Sequence, residues 1–280
     1  MRSETAVLVT GASTGIGYAT AVALAKNGYV VYAGCRTAQD DRRLRDAHEK
    51  IRPLLLDVTQ QQQISAAAEA IAEGGAPLYA VTNNAGIAVA GPLEYIPLDD
   101  FRRQFEVNVL GALAVTQAML PLLRRTSGRI VFVSSVSGQI APPYIGPYAA
   151  SKFALEAMAD SLRMELSSFG IAVSVIQPGN VKTPIWAKGR AEKDALVARL
   201  PAKAVEHYGE AIEKLVRVTE REERTGISPE IVAETVVRAL NSARPRARYP
   251  IGTPSGWMRK FASLLPESHR DRLIMKNFEN

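Results

Sequence analysis

Apolar runs of six or seven residues recur along the chain, separated by longer segments in which apolar positions return every three or four residues. "TAVLVT" (5–10), "YVVYAG" (29–34), "RPLLLD" (52–57), "LYAVTN" (78–83), "RIVFVSS" (129–135) and "IAVSVIQ" (171–177) are continuous rather than alternating in polarity. Strands covered on both faces have that pattern. Between them, "GIGYATAVALAKNG", "QQQISAAAEAIAEGG", "LDDFRRQFEVNVLGALAVTQAMLPLLRR" and "YAASKFALEAMADSLRMELSSFG" have helical periodicity. The alternation predicts an α/β fold, a doubly wound parallel sheet with right-handed crossovers and helices on both faces. Past residue 185 the pattern is helical again (190–222 and 229–241), a seventh strand follows at "ARYPIG" (247–252), and a tail closes the chain. No repeat or low-complexity linker divides it, so residues 1–280 are expected to form one domain. Helices over 186–225 and a tail over 252–280 would elaborate its C-terminal part.

Composition changes this picture little, but it removes some classes. Hydrophobic content of 47% and charged content of 22% are those of an ordinary globule. The net charge of +6 includes no long block of one sign; "RPRAR" (244–248) reads as solvated surface. Without a basic stripe interleaved with aromatics, no nucleic-acid partner is expected. The single cysteine, Cys35, excludes an internal disulfide and favours a reducing, cytoplasmic compartment. His48, His207 and His269 are scattered without ligand spacing, so no metal is expected. The start "MRSETAVLVT" has no signal-peptide apolar region, and no apolar run is expected to be long enough to cross a bilayer.

The candidate chemistry begins where the first strand runs into "TGASTGIG" (10–17), which opens a helix. Gly11, Gly15 and Gly17 would let the backbone turn tightly and approach a pyrophosphate at the helix N-terminus. At the end of the second strand, in "YAGCRTAQDD", Cys35 stands where an acid would bind a ribose 2′-hydroxyl, and Arg36 follows it. That pattern predicts NADP(H) in preference to NAD(H), with Asp40 and Asp41 leaving NAD(H) open. Asp57 and "NNAG" (83–86) lie at the carboxyl ends of neighbouring strands, the edge where open α/β sheets bind ligands. "YAASK" (148–152) puts a phenol and an ammonium on one helical face, four residues apart. Taken alone, that pair is better read as a solvated patch.

Together, "TGASTGIG", "LLLDVT", "NNAG", "FEVNVLG", "VSSVSG", "YAASK" and "QPGNVKT" resemble, in order and spacing, the short-chain dehydrogenase/reductase family over residues 5–185. The resemblance implies a Rossmann-type sheet and an NAD(P)(H)-dependent oxidoreductase that interconverts a carbonyl and an alcohol. It implies that Gly11, Ser13, Thr14, Gly15, Ile16 and Gly17 surround the pyrophosphate. By the same implication Asp57 and Val58 meet the adenine, and Asn84, Ala85 and Gly86 line the ribose side. Pro178, Gly179, Val181 and Thr183 would lie along the nicotinamide.

The resemblance also assigns Asn108, Ser135, Tyr148 and Lys152 to catalysis. A carbonyl reduced by hydride transfer must be protonated as it becomes an alcohol, and tyrosine can do this if its pKa falls from about 10 toward neutrality. Three units are about 4 kcal/mol, which a lysine cation about 4 Å away supplies at an effective dielectric near 20. Lys152 would also reach the cofactor ribose. Ser135, with Ser134 and Ser137 as near alternatives, would orient the substrate oxygen. Asn108, an unfavourable mid-helix residue, would perturb its helix and anchor a water in a proton relay.

Trp186, Leu196, Leu200, Tyr208 and Leu215 could line an apolar pocket or simply pack between helices. The tail and the "YAASK" helix resemble the retinol and 17β-hydroxysteroid dehydrogenase branch, which implies a bulky hydrophobic, steroid- or retinoid-like ketone or alcohol. Trp257, Met258, Phe261, Leu264 and Leu265 mix with basic residues and could touch a membrane surface or a partner subunit. The family resemblance implies a homodimer or homotetramer. A non-catalytic NADPH-binding sensor is the alternative from another class; the presence of all four catalytic positions argues against it.

Overall fold

The computed structural model describes residues 5–191, 201–252 and 266–279. Seven strands form one sheet: β1 (Ala6–Val9), β2 (Val30–Cys35), β3 (Ile51–Leu55), β4 (Leu78–Asn83), β5 (Arg129–Val133), β6 (Ala172–Pro178) and β7 (Arg248–Ile251). Their order is β3-β2-β1-β4-β5-β6-β7 and every pairing is parallel. The winding reverses between β1 and β4, where Leu8 pairs with Val81, so the chain leaves those two strands in opposite directions and opens a crevice at their carboxyl ends. This is the Rossmann-type sheet that the continuous apolar runs predict.

Helices α1 (Gly15–Lys26), α2 (Ala38–Ala47), α3 (Gln61–Glu73), α4 (Leu98–Phe105), α5 (Gly111–Arg124), α6 (Gly146–Glu165), α7 (Ile185–Ala191), α8 (Ala202–Thr225), α9 (Pro229–Asn241) and α10 (Glu267–Glu279) complete the described chain. One apolar layer joins Leu8, Ile130 and Phe132 of the sheet to Ile64, Met119 and Leu155 of α3, α5 and α6. The opposite layer joins Val7, Val31 and Val131 to Leu24 of α1 and Val236 of α9. Both faces of the central strands are therefore buried, which is why they carry no alternation; the edge strands β3 and β7 keep exposed positions.

Sequence pattern and structure part in several places. Helix α2, "AQDDRRLRDA", buries only Leu44 and so has almost no apolar stripe to detect. It is set instead by its N-cap, where Thr37 Oγ1 accepts from the Asp40 N–H at 3.1 Å, and by Asp40–Arg43 and Asp41–Arg45 pairs. The expected single helix over 98–125 is interrupted by a π-turn at Glu106–Leu110 that carries Asn108 inward. Contrary to expectation, the run Leu98–Arg124 is long and apolar enough to pass for a membrane span by length and composition. Its α5 portion instead buries Val115, Met119 and Leu123 in the core between sheet and helices.

Candidate active site

The crevice at the carboxyl ends of the strands is a cavity of about 660 Å³. Among the residues singled out in the sequence, Gly11, Ser13, Thr14, Gly15, Ile16, Arg36, Asp57, Val58, Asn84, Ala85, Gly86, Ser135, Tyr148, Lys152, Pro178, Gly179, Val181 and Thr183 line it. Gly17 and Asn108 do not. Both act from behind the wall, for reasons of packing.

The turn between β1 and α1 needs its glycines. Gly11 has φ +62°, and a Cβ there would stand 2.8 Å from the Ala85 Cα. A Cβ on Gly17 would collide with the Gly11 carbonyl oxygen and Asn84 Nδ2, so Gly17 closes the turn against β4 rather than facing the cavity. Asn84 Nδ2 donates to the carbonyls of Thr10 and Gly11 at 3.0 and 3.1 Å, which locks the turn to the β4 end. Helix α1 opens with no side-chain cap and no acidic residue in its first turn. Its first N–H groups are thus left to an anion, and the turn fits a dinucleotide pyrophosphate.

At the β2 end, Cys35 is buried and Arg36 is exposed along the cavity. Burial, with Asp41 and Asp40 nearby, pushes the Cys35 thiol above its ordinary pKa, so it is held as a thiol. Asp40 pairs with Arg43 and Asp41 with Arg45; Arg43 also donates to the Ser13 carbonyl. Asp57 Oδ1 accepts from the Thr59 N–H and hydroxyl at 3.0 and 2.8 Å.

Helix α6 brings Tyr148 and Lys152 to the cavity; they are 7% and 5% exposed. Strand β5 ends at Val133, two residues earlier than expected, and Ser135 caps a short 3-10 turn over Val136–Gly138. Ser134 and Ser137 also line the cavity, but Ser135 is the serine that pulls the Tyr148 phenol toward a lower pKa. The Lys152 ammonium donates to the Val133 carbonyl at 2.9 Å and lies 5.6 Å from the Tyr148 ring centroid.

The expected electrostatics are reversed in the protein's own groups. Burial pushes the Tyr148 phenol up to about 12, against the downward pull of Ser135 and with a further upward push from Glu222. Burial likewise brings Lys152 down to about 8, although Glu156 opposes it. Desolvation of each ionised form outweighs what the pair gain from each other. Tyr148 is therefore a neutral phenol unless a further positive charge enters the site.

Asn108 is 2% exposed beneath the wall. Its Oδ1 accepts from the Ile87 N–H at 2.9 Å, and Nδ2 donates to the Ile87 carbonyl and Ser151 Oγ, both at 3.1 Å. The amide thus clamps the loop after β4 to α6 and makes no contact with Lys152. Gln104, one turn earlier and fully buried, was not anticipated. It accepts from the Val89 N–H at 2.7 Å and donates to the Ile87 carbonyl at 2.9 Å. The i, i+4 spacing of two amides in "QFEVN" was the available signal.

Of the suggested substrate wall, Trp186 and Leu215 line the cavity, and Trp186 packs edge-on to Tyr148 at 5.4 Å. Tyr208 does not. Its hydroxyl donates to Glu94 at 2.8 Å and its ring packs on Tyr95 and Tyr144. Leu196 and Leu200, and tail residues Trp257, Met258, Phe261, Leu264 and Leu265, lie outside the described residues. Ile274 and Phe278 of α10 complete the apolar end, a contribution that the sequence pattern did not reveal.

The short chain dehydrogenase family matches residues 5–194 of this chain. Retinol dehydrogenase 5 of Mus musculus is 37% identical over 97% of this chain and 88% of its own. An NADPH-dependent 3-dehydrocapnine reductase of Ornithobacterium rhinotracheale is 31% identical over 97% and 96%. Among solved structures, a short-chain dehydrogenase/reductase of Burkholderia phymatum in complex with NAD superimposes with a TM-score of 0.76 at 25% identity, covering 88% of this chain and 89% of that one. Sheet order, glycine turn and these relatives agree: the chain is an oxidoreductase of the short-chain dehydrogenase/reductase family, with a site for a nicotinamide cofactor.

Proposed function

We propose that this enzyme interconverts a hydrophobic ketone and its secondary alcohol, with Tyr148 as general acid and base and NADP(H) as the preferred cofactor. The observation that carries this reading is the meeting of Ser135, Tyr148 and Lys152 with the glycine turn in one cavity. When bound, the nicotinamide supplies or accepts the hydride. Ser135, on the same cavity wall as Tyr148, holds the substrate oxygen against the phenol. Tyr148 then donates its proton to that oxygen in reduction and takes it back in oxidation. Because the protein's own groups keep Tyr148 neutral, reduction starts from the correct protonation state. In the oxidative direction Lys152 stabilises the tyrosinate that accepts the proton. Asn108 is a positioning residue, acting through Ile87 and Ser151.

The preference for NADP(H) is supported by Arg36 on the cavity wall and by the engagement of Asp40 and Asp41 with Arg43 and Arg45. Neither acid is then left for a ribose 2′-hydroxyl. A hydrophobic, steroid- or retinoid-like substrate is supported by the wall of Trp186, Leu215, Val218, Ile274 and Phe278, and by the name of the retinol dehydrogenase relative. A homodimer or homotetramer in the cytoplasm belongs to the same proposal. In favour of association, Leu110, Phe153 and Met164 are exposed along the π-turn and α6. The test is a panel of hydrophobic ketones, aldehydes and secondary alcohols, followed by NADPH absorbance. Turnover of the ketones with NADPH is expected; turnover confined to small polar carbonyls, or to NADH, contradicts the proposal.

A further inference from the structure

Helix α8 presents Leu215, Val218, Thr219 and Glu222 to the cavity. These positions are spaced i, i+3, i+4 and i+7 and so form one stripe of the helix. The stripe runs from apolar to acidic. Its apolar end adjoins Phe278 and Trp186; its acidic end shares the cavity wall with Asn180, which favours the ionised carboxylate of Glu222. Glu222 is close enough to Tyr148 for its charge to act on the phenol.

Among the described residues no ion pair to this carboxylate is formed. Arg190 of α7 bonds to Glu223 and lies 3.8 Å from Glu220, one on each side of Glu222 in sequence. Arg221 and Asn180 favour the ionised form, but burial outweighs them and raises the Glu222 pKa. A carboxyl group on the substrate wall, beside the acid–base tyrosine, makes no contact that a plain ketone needs. It does discriminate between substrates by charge.

We propose that Glu222 is a specificity-determining residue. It selects carbonyl substrates with a hydroxyl or ammonium donor within a few bonds of the reacting carbon and rejects those with a carboxylate there. This rests on the reading of Tyr148 as the residue at the reacting carbon. Two carboxylates about 5 Å apart at an effective dielectric near 20 repel enough to cost on the order of a hundredfold in binding. A donor in the same place would gain a charge-assisted hydrogen bond.

The test compares 1-hydroxy-2-decanone, 2-decanone and 2-oxodecanoate with NADPH at pH 8, in the wild type, Glu222→Gln and Glu222→Asp. Wild-type kcat/KM should favour the hydroxyketone over the oxoacid by at least about tenfold. Glu222→Gln should raise the ratio of kcat/KM for 2-oxodecanoate to that for 2-decanone by about tenfold or more. Glu222→Asp should keep the wild-type order. A gain on the oxoacid cannot come from misfolding. An oxoacid-to-ketone ratio unchanged in Glu222→Gln, or a parallel loss on all three substrates, overturns the inference while leaving the proposed function standing. Failure of the wild type to reduce any of the three overturns both.

Discussion

Asn108 Nδ2 donates to Ser151 Oγ at 3.1 Å, and that hydroxyl donates in turn to the Tyr148 carbonyl at 2.7 Å. The π-turn is thereby tied to the first turn of the helix that carries Tyr148. Replacing Asn108 with Ala would leave the half-buried Ile87 N–H without its partner and remove one of the two amides that donate to Ser151. Thermal unfolding should show a loss of about 1–3 kcal/mol. Turnover should fall with little change in NADPH affinity, as steady-state kinetics and fluorescence titration would check.

Gly17→Ala drives a methyl group into the Gly11 carbonyl and Asn84 Nδ2. Neither can retreat without opening the link between β1 and β4, so overpacking should cost about 1–3 kcal/mol. NADPH affinity should fall at the same time, because the turn itself moves; calorimetric titration measures this directly.

Arg36→Ala should weaken NADPH selectively. A charge-assisted hydrogen bond to the 2′-phosphate is worth about 1.5–3 kcal/mol, or roughly 10–150-fold in kcat/KM. The value with NADH should change less than about threefold, since NADH offers Arg36 no phosphate.

Lys152 gives a pH signature. Its pKa is about 8 in the fold and 10.5 as a free side chain, so the unfolded chain binds more protons between those values. Stability should therefore rise as pH rises from about 8 toward 10.5. Tyr148, raised from 10 to about 12, acts in the opposite sense: its contribution is lost as pH rises from 10 to 12. Lys152→Met should be inactive yet more stable than wild type below pH 8, because Glu156 keeps Gln177 at 2.9 Å and Arg248 at 3.0 Å. Thermal melts of both proteins at pH 7 and pH 10 check the sign; an equal offset at the two values contradicts it.

Much of the fold was legible because burial on both faces writes each strand as a continuous apolar run, from "TAVLVT" to "ARYPIG". Features with little hydrophobic signature were not. Helix α2 rests on a cap and surface ion pairs, and the π-turn is recognisable only once Asn108 and Gln104 are seen beneath the loop after β4. The cavity residues that follow short motifs were found from sequence, whereas Glu222, Ile274 and Phe278 come from helices whose apolar stripes look like ordinary packing. Periodicity says which residues share a face and is silent on what that face meets. The electrostatic expectation failed for a related reason: spacing placed Lys152 beside Tyr148 but could not weigh the desolvation of both.

The most direct measurement is single-turnover reduction of a hydrophobic ketone by Tyr148→Phe loaded with NADPH, beside the wild type. The rate should drop by about 10²–10⁴-fold, the worth of a positioned general acid, with NADPH affinity within about threefold of wild type. A variant that keeps more than about a tenth of the wild-type rate would show that Tyr148 is not the group that moves the proton.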